Sequence, residues 1–266
     1  MEELANLGLV DDDEIVLDEA ALCLARLDHP DVDPARHPAL LATIADRLAA
    51  AGADASRAAD RADALSQVLG DAFGLRGDEE TYDDPANADL IRVLDRRMGL
   101  PVSLSILYVA AARRLGWTAN VLDLPGHVLV LVGDDAVPVI VDPFRAGARV
   151  EPARLVAMLA ASGRAAHAPV RPVAAMPNRT VLVRLLLNQA TRAERAGRGR
   201  RALALYARMT VLAPDHGQAW WERARLELID GDVAAARNSL VAMLEVTRAP
   251  DLRRRVGRML DALVAP

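Results

Sequence analysis

A proline-led apolar run followed by two β-branched runs limits what this chain can become. From Pro101 onward, Leu104, Leu107, Tyr108, Ala111 and Leu115 recur at helical spacing, and Gly116 follows. Proline suits the first helical position, Ser103 or Ser105 can satisfy free N–H groups in the first turn, and glycine suits the close. Val128 to Val132 and Val137 to Val141 then read as strands, with Gly133-Asp134-Asp135-Ala136 between them as a hairpin signal. With the turn centred between Asp134 and Asp135, Val132 faces Val137 and His127 faces Asp142. Directly opposed residues hold their Cβ atoms roughly 5 Å apart, so the imidazole and the carboxylate are expected to meet. Such a pair is the orienting half of a nucleophilic triad, in which Asp fixes the His tautomer and His takes a proton from Cys or Ser. A structural reading stands beside this one, with His127 capping backbone groups at a strand start.

Tyr82-Asp-Asp-Pro-Ala-Asn, Arg96-Arg-Met-Gly-Leu-Pro-Val-Ser-Leu-Ser, Ala112-Arg-Arg-Leu-Gly, Pro125-Gly-His and Val141-Asp-Pro-Phe together resemble the SirB1 family, a branch of the transglutaminase-like superfamily. The resemblance covers roughly residues 15 to 147. It implies an α+β fold with a papain-like core in which a helix N-terminus carries Cys and neighbouring strands carry His and Asp. His127 and Asp142 match the second and third members. The Cys position falls at or near Pro101, and the nearest hydroxyl is Ser103. The single cysteine, Cys23, sits in a separate helical pattern among apolar neighbours, as a small core residue does. A serine hydroxyl titrates far above neutral pH and needs a well-placed base, so thiol chemistry is not expected. Two readings follow, beside a third in which the cleft binds a peptide or small ligand without reacting. One is a degenerate, non-catalytic domain acting as a scaffold; the other is a hydrolase or acyltransferase using Ser103, His127 and Asp142. Asp18 and Glu19 match an acidic pair of the family, with packing or capping as their expected role.

The flanks read as helices. Asp11 to Glu14 is an acidic cluster before Ile15, Leu17, Ala20, Ala21, Leu24 and Leu27, and is expected to cap that helix rather than hold a metal. His29-Pro30 ends the helix. Further helices are expected over 38–51, 55–73 and 89–98, with a polar loop over 74–87. Arg96 and Arg97 either receive an acidic ligand or face water. A helix over 152–162 and a proline-interrupted connector follow, giving expected domains of 1–167 and 178–266 around a linker at 168–177. The last segment has a period of 34 residues, with Gly197 recurring as Gly231, Ala202 as Ala236 and Tyr206 as Leu240. It resembles tetratricopeptide repeats, whose stacked helix pairs bury a shared core. This resemblance implies a protein or peptide partner. Trp220 and Trp221 are candidates for core or for a binding patch.

Hydrophobic residues make up 52% of the 266 and aromatic residues only 3%, so the core must be built mainly from Leu, Val and Ala. All 32 basic residues are arginine, as a GC-rich genome would produce. Residues 1–175 carry 16 Arg against 28 acids and residues 176–266 carry 16 against 9. The two parts are therefore of opposite sign. No interleaved aromatics, helix-turn-helix signature or zinc spacing supports nucleic-acid binding. No cofactor is expected, since there is no glycine-rich phosphate loop and no convincing pair of metal ligands. The lone cysteine fits a reducing compartment, and the acidic start and the lack of a long apolar run fit a cytoplasmic protein away from membranes.

Overall fold

A computed structural model describes residues 2–124, 126–134, 137–161 and 174–263. Along the chain run α1 (Glu2–Leu9), α2 (Leu17–Arg26), α3 (Arg36–Ala51), α4 (Ala58–Leu65), β1 (Arg76–Gly77), α5 (Leu90–Arg96), β2 (Met98–Gly99) and α6 (Pro101–Arg114). There follow β3 (Ala119–Leu124), β4 (His127–Val132), β5 (Val139–Asp142), β6 (Ala148–Arg149), α7 (Pro152–Ala161), α8 (Asn178–Arg195), α9 (Gly199–Leu212), α10 (Gly217–Ile229), α11 (Val233–Val246) and α12 (Pro250–Ala262). The contacts divide the chain into two compact units, 12–182 and 1–11 with 183–266. These bounds differ from the expected domains in sending α1 to the C-terminal unit. The expected connector lies largely outside the described residues.

In the unit 12–182, α6 is the central element. Every residue from Pro101 to Ala112 is buried, which is why its apolar residues run all round the helix instead of forming a stripe. Pro101 opens it at the first position and Leu115 and Gly116 close it. The strands β3-β4-β5-β6 form an antiparallel sheet, and β1 pairs with β2 in a separate parallel ribbon. Beside the sheet, Leu122, Leu124 and Leu129 form a cluster with Leu131, Ile140 and the α7 residues Leu155, Met158 and Leu159. The outer edge of β3 is met by the chain at 175–176, where Met176 N–H donates to the Val121 carbonyl at 2.8 Å.

Three polar pairs pin helices of this unit. Arg114 grips the fully buried Asp18 with both terminal nitrogens, tying the C-terminal end of α6 to α2. His29 Nε2 lies 2.6 Å from Asp89, which also caps α5 through Arg92 N–H. The buried His37 meets Asp95 at 3.1 Å.

Three expectations need correction. The hairpin pairs Val132 with Val139, not with Val137, and Val130 with Val141. Pro138 has no N–H for the ladder, so the second strand starts after it and the register moves by two residues. The acidic cluster does not cap α2, whose N-cap Val16 makes no side-chain bond. Asp12 turns instead to the start of α8, where its carboxylate accepts the N–H groups of Asn178 at 2.9 Å and Arg179 at 2.8 Å. The helix expected over 55–73 is α4 followed by a π-helical stretch, Ser66–Ala72.

In the other unit, α8 to α12 succeed one another and α1 packs on α9, with Leu4 fully buried and Gly8 close against the Val211 carbonyl. Ala202 and Ala236, 34 residues apart, are both fully buried, as are Tyr206 and Leu240 to within 2%. The matching glycines, Gly197 and Gly231, both take positive φ (68° and 83°) just past a helix end, the conformation that a helix C-terminus most often gives to glycine. Trp220 and Trp221 are both half-buried against the cluster of Ala224, Leu240, Met243 and Val256.

Candidate functional site

His127 opens β4 directly after Gly126, and Asp142 closes β5. The two-residue change of register leaves parity intact, so the pair shares one row of side chains diagonally instead of directly across. His127 Nε2 lies 3.0 Å from Asp142 Oδ2, with side chains 19% and 2% exposed. The contact is close but not in line, since Oδ2 has no hydrogen-bond partner among the described residues. The other oxygen, Oδ1, accepts the Phe144 N–H at 3.1 Å and so caps the turn Pro143–Arg145. That turn places the Phe144 ring edge-to-face with His127 (centroids 6.2 Å apart) and with Tyr82 (5.9 Å). One carboxylate thus caps the turn that carries the aromatic wall and lies beside the imidazole.

Ser103 is fully buried and its hydroxyl donates to the Asn87 carbonyl at 2.7 Å. The same carbonyl accepts the Leu100 N–H at 2.9 Å. Asn87, itself fully buried, donates through Nδ2 to the Thr81 carbonyl (2.7 Å) and accepts from Arg96 (3.0 Å). Arg96 reaches on to Asp78 at 2.8 Å, and Thr81 gives Asp78 both its N–H (2.7 Å) and its hydroxyl (2.5 Å). Burial alone would raise the Asp78 pKa; the Thr81 donors and the Arg96 guanidinium outweigh it and hold the carboxyl well below the usual range. The motif Tyr82 to Asn87, Arg96 and Ser103 therefore form one polar clasp around the first turn of α6. Arg96 serves that clasp, and Arg97 stands over the Phe73 ring at 5.8 Å.

Pro101, where the resemblance sets the nucleophile, offers no reactive side chain. Ser105 and Tyr108, further along α6, are fully buried and their hydroxyls have no partner among the described residues. Burial, with the charges of Asp71 and Asp142, pushes the Tyr108 phenol far above its ordinary value. Cys23 is buried on α2. Among the described residues no group of three or more His, Cys, Asp or Glu is set to hold a metal, and no helix is long and apolar enough to cross a membrane.

A family model described as "Transglutaminase-like superfamily" matches residues 36–187, from α3 into α8. The chain belongs to the transglutaminase-like superfamily. Its match takes in the whole sheet, α6 and the His127–Asp142 pair. The chain is similar to two proteins named UPF0162 from Xylella fastidiosa, 29% and 30% identical over 248 residues, covering 91% of this chain and 87% of each relative. It is also 37% identical to F-box only protein 21 of Mus musculus over 68 residues, which are 26% of this chain and 11% of that one. No solved structure matches it.

Proposed function

We propose that this protein is a non-catalytic transglutaminase-like domain of SirB1 type joined to tetratricopeptide-like helices, acting in the cytoplasm as a scaffold that binds a protein or peptide. The observation that carries this reading is the state of α6: Pro101 stands at the expected thiol position, and the nearest hydroxyl, Ser103, is spent on the Asn87 carbonyl. An imidazole and a carboxylate without a nucleophile cannot start acyl transfer. The His127–Asp142 pair then serves as a clamp on the turn that carries Phe144. A papain-like arrangement of helix and sheet accounts for why the pair survives in the absence of its third member.

The second reading, a hydrolase or acyltransferase built on Ser103, His127 and Asp142, is favoured by the 3.0 Å approach of the imidazole to the carboxylate. A serine-reactive fluorophosphonate probe separates the two. The non-catalytic reading expects no labelling of the intact folded chain. Labelling that disappears in both Ser103→Ala and His127→Ala, each verified as folded, would install the enzyme reading in its place.

A further inference from the structure

The helices of the C-terminal unit leave a groove of about 240 Å3 among α10, α11 and α12. Trp221, Glu222 and Gln218 line it from α10, the buried Met243 from α11, and the exposed Leu252 and Arg255 from α12. The Arg255 guanidinium stands 4.3 Å from the centroid of the Trp221 ring. A cation–π contact uses the charge of a guanidinium without taking up its N–H donors in hydrogen bonds. Among the described residues no carboxylate pairs with Arg255. The carboxylate nearest to hand in the groove, Glu222, is already engaged by Arg225 Nε at 2.6 Å and by Gln218 Nε2 at 2.6 Å. The groove therefore combines apolar lining from Trp221, Met243 and Leu252 with one cation that no carboxylate pairs among the described residues.

We propose that this groove docks an acidic peptide segment, with an aliphatic side chain entering against Met243 and Trp221 and a carboxylate received by the free edge of Arg255. The inference rests on the protein-interaction reading and names its partner class. Charge complementarity favours this occupant, since residues 176–266 carry 16 Arg against 9 acids. A guanidinium offers its N–H donors as a fork, the geometry that a carboxylate takes up bidentately.

The test is fluorescence anisotropy with the full chain and a set of labelled hexapeptides in which leucine or valine alternates with glutamate or aspartate. Counterparts carrying glutamine or asparagine and a C-terminal amide, and a single-stranded oligothymidylate, serve as competitors. Binding of the acidic set is expected, with weakening of about tenfold or more in Arg255→Ala, as loss of a charge-assisted hydrogen bond gives. Arg255→Lys is expected to recover only part, because the charge returns without the fork, and Arg237→Ala, outside the groove, to bind as the parent does. Because Arg255 is exposed, its variants keep the parent's thermal melt. Equal binding of the amide set, displacement by oligothymidylate in preference to acidic peptide, unchanged affinity in Arg255→Ala, or no binding of any peptide each overturns the assignment. Those results leave the non-catalytic reading standing, since that reading is decided by probe labelling at α6.

Discussion

Asn87 binds through both its side chain and its carbonyl, and the groups it holds come from three separate stretches: Thr81, Arg96, and Leu100 with Ser103. Asn87→Ala removes one of two donors from the Thr81 carbonyl, which keeps the Asp84 N–H at 2.9 Å, and one of two acceptors from Arg96, which keeps Asp78; two lost hydrogen bonds are expected to lower stability by about 1–3 kcal/mol. Ser103→Ala removes one of two bonds to a carbonyl that keeps the other, and is expected to cost about 1 kcal/mol; urea denaturation of the two variants gives the ranking. Asp78 adds a pH dependence. Its folded pKa is depressed, so its contribution is fully present above the ordinary carboxylate value near ~4 and is lost as pH falls from there towards the folded value. The urea midpoint of Asp78→Asn should therefore fall less steeply than the parent's between about pH 4 and pH 2. The sequence showed His127 and Asp142 as a pair because alternation along a strand survives an even error in register. It did not show the work of Asn87. An asparagine in a loop with Pro85 and Asp84 reads as turn chemistry, and its partners lie 5 to 16 residues away with no periodicity to connect them.

Among the elements, α6 was legible from end to end because its signals are local: a proline at the first position, apolar residues throughout and a glycine at the close. The acidic cluster was misassigned for the opposite reason. Asp12 caps a helix that starts 166 residues later, and nothing local distinguishes that from capping the helix next door. Asp12→Ala should uncap α8 and cost about 1–2 kcal/mol, whereas Asp13→Ala, lacking this role, should be near neutral; thermal melts of both variants measure the difference. β3 went unread because Asn120 and Asp123 interrupt its apolar alternation, yet it carries the Leu122 and Leu124 side chains that pack towards α7. The hairpin was recognised but closed too tightly, since Pro138 cannot donate to the ladder and Val137 is left 77% exposed.

On the scale of the whole molecule, the first helix belongs with the last ones. Leu4 is fully buried and Gly8 packs against the Val211 carbonyl of α9, so the unit 1–11 with 183–266 is assembled from both extremes of the chain described here. Removing residues 2–11 should reduce amide hydrogen-exchange protection in α9 and its neighbours while leaving protection in α6 and β4 at the parent's level, because local stability follows local packing. Reduced protection confined to α6 and β4 would contradict the assignment of α1. The arrangement has a consequence for how the chain is made. A ribosome delivers α1 first and its packing partner α9 roughly 200 residues later, which at ~5–20 residues per second is a wait of about 10–40 s. Throughout that interval the intervening unit can complete its own fold, while Leu4 and its apolar neighbours stand uncovered and open to chaperones.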